Sequence, residues 1–111
     1  HSIKSAQNLY DYLKTLKYPI YGVWGMQKNK MAKDFLKKFN NIFKEIVTVK
    51  IPNESNALKS SQLKDIAFNL NYKVKSAPSI KQAIRKITSK EKKIIVIFGS
   101  LYLIGAALNE N

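Results

Sequence analysis

The chain has no cysteine, one histidine, one arginine, four glycines and three prolines among its 111 residues. Without cysteine there is neither a disulfide framework nor a thiolate metal site, which fits a reducing compartment and predicts a cytoplasmic protein. The one histidine, His1, is too little for a histidine-based metal centre. No Pro/Gly/Ser-rich linker, low-complexity tract or internal repeat divides the chain, so residues 1–111 are expected to form one domain. A domain of that length buries roughly two-thirds of the surface its unfolded chain exposes. The N-terminus lacks a basic stretch followed by an apolar core, so no signal peptide is expected. Its first residue is not methionine, which predicts a processed chain or a piece of a longer one.

Acidic residues are also scarce: Asp plus Glu is 7 against 20 Lys plus Arg, a formal charge of +13. Such an excess ordinarily points to nucleic acid or an anionic membrane. Here the excess is almost entirely lysine, with Arg85 the single arginine. Arginine supplies the planar fork for bidentate phosphate and guanine contacts, and lysine only a solvated point charge. The lysines run from Lys4 to Lys93 without a long basic block, the richest cluster being Lys28, Lys30, Lys33, Lys37 and Lys38. Abundant Lys, Asn and Ile are what an AT-rich coding sequence favours. Composition therefore explains the charge without a partner, and nucleic acid is not an expected one.

Hydrophobic residues, at 45%, alternate between helix-like and strand-like spacing. Ile3, Ala6, Tyr10, Leu13 and Leu16 predict a first helix capped by Ser2 and closed before Pro19. Ile20 to Trp24 reads as a buried strand ending at Gly25. Met31, Phe35, Leu36, Phe39 and Phe43 predict one face of a second helix, and Ile46 to Ile51 a second strand broken by Pro52-Asn53. Leu63, Ile66, Ala67 and Leu70 mark a third helix, and Tyr72 to Val74 a short strand. Ser79-Ile80-Lys81-Gln82 is a capping-box pattern opening a helix with Ile80, Ala83, Ile84 and Ile87 on its face. Ile94 to Phe98 predicts a last strand, and Gly99-Ser100 a final helix through Leu108.

This order predicts an α/β fold with an open, mostly parallel sheet flanked by helices and right-handed crossovers. The uncharged run Ile94 to Asn109 invites a membrane reading but is shorter than the roughly 20 residues a bilayer needs. Gly99-Ser100 also divides it into strand-length and helix-length pieces, so no membrane partner is expected.

Ligands of open α/β sheets sit beyond the carboxyl ends of the strands. Three such junctions are visible: Gly25-Met26-Gln27, Pro52-Asn53-Glu54 and Gly99-Ser100. At the third, glycine permits close approach of a ligand, and Ser100 can cap the expected helix or offer its hydroxyl. Free N–H groups at that helix start would favour a carboxylate or phosphate. His1, at the start of the first helix, and Lys30, after a strand end, are candidates on the same rim. Trp24, Phe35, Phe39, Phe43 and Phe98 fall at core positions, so these rings are not expected to form a platform for bases. No glycine-rich phosphate loop with Lys-Ser/Thr, nucleophile elbow or metal-ligand cluster occurs.

The segment Val96-Ile97-Phe98-Gly99-Ser100-Leu101-Tyr102-Leu103-Ile104-Gly105 resembles the closing Gly-Ser-Leu-Tyr-Leu-(Val/Ile)-Gly signature of folylpolyglutamate synthases and bifunctional dihydrofolate synthases, of the Mur ligase superfamily. His1-Ser2 resembles the His-Asn of that family's Asp-Gly-Ala-His-Asn-Pro motif. Gly22-Val23-Trp24-Gly25-Met26 resembles its strand ending in Phe-Gly. Ile51-Pro52 is similar to its strand ending before a proline, and Ser79 with Ala83 to its Ser-x-x-x-Ala helix start. The family's Asp-Lys-Asp is Asn29-Lys30-Met31 here, and its Pro-Arg-Ala is Ser55-Asn56-Ala57.

The resemblance covers essentially the whole chain and implies a Rossmann-like C-terminal domain lacking its first strand. It implies an amide-forming ligase that uses ATP and Mg2+, held mainly by an N-terminal ATPase domain. That domain would be this chain's partner, with folate or dihydropteroate and glutamate as substrates. Carried over, His1 and Ser100 would be catalytic positions, and Gly99, Ser100 and Lys30 would contact substrate. The isolated domain is then expected to be inactive. Two other readings stand beside it: a non-catalytic remnant or binding module of this fold, and a basic nucleic-acid binder.

Overall fold

In the computed structural model, residues 2–28, 31–99 and 103–109 are described, with the backbone path alone for Ser2, Ile3 and residues 103–109. The elements in chain order are α1 (Ser2–Leu13), β1 (Ile20–Gly25), α2 (Ala32–Lys37), β2 (Phe43–Thr48), α3 (Ser60–Asn69), β3 (Val74–Ser76), α4 (Ile80–Lys86), β4 (Lys93–Gly99) and β5 (Leu103–Asn109). They build one sheet in the order β3-β2-β1-β4-β5. The first four strands are mutually parallel, and β5 runs antiparallel to β4. The α/β class and the open, mostly parallel sheet are as the sequence predicts.

The last element differs. Where the sequence predicts a helix through Leu108, the chain returns as β5, pairing Ile94 with Leu108 and Lys93 with Asn109. Leu103, Ile104, Ala106, Ala107 and Leu108 suit either state by spacing alone. A preceding strand with an open edge supplies backbone partners that a solitary helix would not use.

The second helix is also shorter than predicted. Met31 is its N-cap and 60% exposed, while Phe43 opens β2. Asn40 and Asn41 stand at φ 47° and 59°, left-handed conformations that stop a helix. This turn folds Phe43 back until its ring lies 5.2 Å from that of Phe39. The helical spacing was thus read from two residues that do meet, one helical and one extended. The second strand accordingly runs Phe43–Thr48 rather than Ile46 to Ile51, and the short third strand is Val74–Ser76 rather than Tyr72 to Val74.

Alternation along the strands separates two faces. Ile20 and Trp24, with Ile46, Ile94, Val96 and Phe98, face the core under α1, α2 and α3. Tyr21, Val23, Val47 and Ile95 face the other side, where Ala83 and Ile87 of α4 pack. Phe98 centres the larger core: its ring stacks on Phe43 at 4.9 Å and meets Phe39 edge-on at 5.1 Å. Gly22 makes room for this pair. A Cβ there would stand 2.8 Å from the Phe98 ring and 3.1 Å from that of Phe43. All five aromatics expected in the core are buried.

Capping matches the sequence at α4, where Ser79 Oγ accepts from Gln82 N at 3.1 Å, a bond worth ~1 kcal/mol. Burial pushes the Tyr72 phenol up to about 12, against an opposing pull from the backbone of Asn41, Phe43 and Ile42. The unfolded chain releases this proton near pH 10 and the folded one only near 12. Over that window the unfolded state binds fewer protons, so stability falls as pH rises. Relative to Tyr72→Phe, the protein should lose about 2 kcal/mol between pH 10 and 12, measured by urea midpoints.

Candidate functional site at the carboxyl rim

The chain leaves β1 for β2 on one side and returns, after β3, to β4 on the other. The carboxyl ends of β1 and β4 therefore bound the topological switch point, where open α/β sheets bind ligands. Gly25 and Gly99 are the paired residues at that place. A Cβ on Gly99 would fall 1.8 Å from the Gly25 carbonyl oxygen, so the two backbones meet closer than any side chain permits. Because α1 precedes β1 on the opposite strand direction, its start at Ser2 lies on the same rim.

The loops after β1 and β2 are stitched together beside this point. Gln27 bridges Ala57 in antiparallel fashion, Lys28 N donates to Asn56 O at 2.7 Å, and Leu58 N donates to Met26 O at 2.9 Å. Glu54 holds the second loop in shape, accepting from Asn56 N at 3.3 Å through its carboxylate. Thr48 Oγ1 donates to Ser60 O at 2.7 Å, tying the end of β2 to the start of α3. Such a rim holds its polar groups in fixed positions. Beyond it, a hollow of about 550 Å3 opens between Lys50, Pro52, Asn53 and Ser55 on one wall and Pro78 and Ser79 on the other.

Of the residues singled out from sequence, Gly99 lies at the switch point. His1, Lys30 and Ser100 fall outside the described residues. The anion site expected at the start of a final helix has no helix to support it, since β5 occupies that stretch. Ser100 as the cap of that helix lapses with it. Sequence reasoning missed the 27–57 bridge, because its contacts are backbone bonds that leave no residue pattern. Among the described residues, no three His, Cys, Asp or Glu side chains converge to hold a metal ion. No described helix is long and apolar enough to cross a membrane.

Fold and switch point define an α/β domain with an open, mostly parallel sheet and a crevice at the carboxyl ends of β1 and β4. The comparisons carry the assignment further. The family model for the dihydrofolate synthetase C-terminal domain matches residues 1–110, and this chain belongs to that family. The fold is similar to that of the bifunctional folylpolyglutamate synthase/dihydrofolate synthase from Yersinia pestis, complexed with AMPPNP and Mn ion. There the TM-score is 0.76 at 16% identity, covering 90% of this chain and 24% of that one. E. coli FolC in complex with ADP gives a TM-score of 0.72 at 20% identity, covering 90% and 24%. The Mycobacterium tuberculosis folylpolyglutamate synthase complexed with ADP gives 0.74 at 19% identity, covering 87% and 25%. The chain thus spans about a quarter of the length of these structures. No curated protein matches the sequence.

Proposed function

We propose that this chain is the closing domain of an ATP-dependent ligase joining glutamate to a pterin-linked carboxylate, the folylpolyglutamate or dihydrofolate synthase reaction. The observation that carries this reading is the family match over residues 1–110, and the glycine pair at the switch point supports it. In this reaction the carboxylate would take the γ-phosphoryl group of ATP as an acyl phosphate, with release of ADP. The glutamate amine would then displace inorganic phosphate as the amide forms; a divalent cation, when bound, would offset the phosphate charge. The family resemblance supports placing the nucleotide and its cation mainly on the N-terminal ATPase domain of the same enzyme. Gly99 lets backbone approach the reacting groups, Ser100 offers a hydroxyl to glutamate, and Lys30 offers an ammonium to an anionic group. His1, which the family resemblance makes a catalytic position, is the fourth residue of this proposal. Closure of the rim over the reacting groups excludes water from an intermediate that hydrolyses readily. A cytoplasmic, reducing setting suits a chain without cysteine.

The test joins this chain to the ATPase domain of a folylpolyglutamate synthase and measures ATP-dependent glutamate incorporation into dihydropteroate or tetrahydrofolate. The isolated chain should give none, and the joined protein should turn over. In the active protein, Ser100→Ala should lower glutamate-dependent turnover roughly 10-fold or more while shifting stability by less than ~0.5 kcal/mol. Equal losses in both would leave Ser100 a structural residue. A second reading, a non-catalytic module of this fold, is favoured by Asn56, which stands where the family carries arginine. A folded, joined protein without turnover that regains it with Asn56→Arg would support that second reading.

A further inference from the structure

At the rim opposite the switch point, where strands begin and helices end, lysines gather that are scattered in sequence. Lys14 and Lys17 follow α1, Lys37 and Lys38 close α2, Lys44 is the second residue of β2, and Lys92 precedes β4. Helix C-terminal dipoles account for Lys14, Lys37 and Lys38. They do not account for Lys44 and Lys92, which stand at strand starts. Two hollows share Asn40 here. One, of about 300 Å3, has Tyr10, Tyr18, Leu16 and Ile42 in its walls with Lys14 and Lys44. The other, of about 450 Å3, lies among Gln7, Asp34, Lys37 and Lys38.

The tyrosines are already used as cation platforms: Lys14 Nζ sits 5.3 Å from the Tyr10 ring centroid and Lys92 Nζ 5.3 Å from that of Tyr18. Tyr18 is 40% exposed. The acids that oppose these lysines hold them loosely, with Asp11 at 3.4 Å from Lys14 and Glu91 at 3.9 Å from Lys44, both pairs solvent-exposed. Exposed pairs of this kind exchange readily for another anion.

We infer that this amino-rim groove, Tyr10 and Tyr18 flanked by Lys14, Lys44, Lys37 and Lys38, binds single-stranded nucleic acid. Lysines spaced along a concave track meet successive phosphates, and tyrosine rings take unstacked bases, which needs no sequence readout. With a single arginine in the chain, readout of base edges is not expected, and the lysines act on the backbone as point charges only. A duplex hides its base faces, and no described helix projects from this rim into a groove. A membrane surface fits poorly, because the apolar residues Leu13 and Ile20 are recessed below the rim. The binding is independent of ligase activity and lies at the far end of the sheet from the switch point.

The test is fluorescence anisotropy of a labelled oligouridylate of roughly 12 nucleotides at about 150 mM salt. The intact chain should bind it at least about 10-fold more tightly than a duplex of equal length, and should leave phosphatidylserine vesicles unbound. Lys14→Gln with Lys44→Gln should weaken binding about 10-fold and reduce the salt slope by about 1.4, two phosphates at ~0.7 each. Lys59→Gln with Lys81→Gln, on the other rim, removes the same charge and should change affinity less than about 2-fold. Tyr18→Ala should cost about 5-fold or more and Tyr18→Phe almost nothing, a split that charge alone does not produce. Equal losses for the two lysine pairs, equal affinity for duplex, binding to the vesicles alone, or no binding at this salt would each overturn the inference.

Discussion

Replacing Gly99 by alanine should destabilise the protein by ~3 kcal/mol or more, among the largest single effects expected here. The added methyl would overlap the Gly25 carbonyl at 1.8 Å and its carbonyl carbon at 2.9 Å. Both atoms belong to backbone in the β1–β4 ladder, so neither can swing aside as a flexible side chain would. Relief requires separating the strands at their carboxyl ends, and the pairs Trp24–Phe98 and Val23–Ile97 lie directly beneath. Thermal unfolding reads the result: at ~4–8 °C per kcal/mol for a domain of this size, the melting temperature should fall by roughly 12 °C or more. An unchanged melting temperature with lost turnover in the joined enzyme would give Gly99 a purely ligand-facing role. A large fall in stability means that the glycine serves strand packing first, and that any approach of substrate uses space the packing had already made.

Phe98→Ala should cost ~3–5 kcal/mol, the usual range for deleting a buried aromatic. Its ring is held on several sides, by Trp24 at 6.4 Å, Phe35 at 6.2 Å, Phe39 and Phe43. Those neighbours belong to β1, α2, the turn after α2 and β2, so collapse into the vacancy would require four separate segments to move together. Urea denaturation gives the measurement, with Phe98→Leu expected to cost about half as much. Phe68→Ala serves as the comparison: that ring is 67% exposed and its loss should stay within ~0.5 kcal/mol. Comparable losses at 68 and 98 would contradict the layered core. For a domain with a total stability of about 5–15 kcal/mol, the Phe98 loss alone approaches unfolding.

Most of the sheet was legible in the sequence because β1 and β4 are near-continuous apolar runs, each closed by a glycine. The bounds of β2, with Lys44 and Glu45, and of the three-residue β3 were the ones misplaced. Gly25 and Gly99 end β1 and β4, and Ser79 opens α4 where its hydroxyl does cap. Legibility failed where two structures satisfy one spacing. Phe39 and Phe43 sit four apart and touch, yet the left-handed pair Asn40-Asn41 lies between them. Residues 103–109 would line a helix as readily as a strand, and only the open edge of β4 decides. Of the candidate site, the sequence offered three strand-end junctions. The strand order, which no spacing along the chain reveals, places two of them, after β1 and β4, at the switch point. The stitched loops of the site were not legible, because Gln27 and Ala57 meet through backbone groups common to every residue. The amino-rim groove escaped for a different reason: its lysines come from α1, α2, β2 and the approach to β4. No window along the chain contains them together.

The scarcity of glycine has a counterpart in the backbone. Among the described residues, the left-handed positions are held by Asn40, Asn41, Asn53 and Asn71, and no glycine occupies one. Asparagine is the ordinary residue that tolerates this conformation best, and its codons, unlike those of glycine, are rich in adenine and thymine. The glycines that persist, Gly22 and Gly99, are at places where a methyl has no room, a demand asparagine cannot meet. The fold thus separates two demands: a left-handed dihedral angle, which asparagine meets, and the absence of side-chain volume, which only glycine meets.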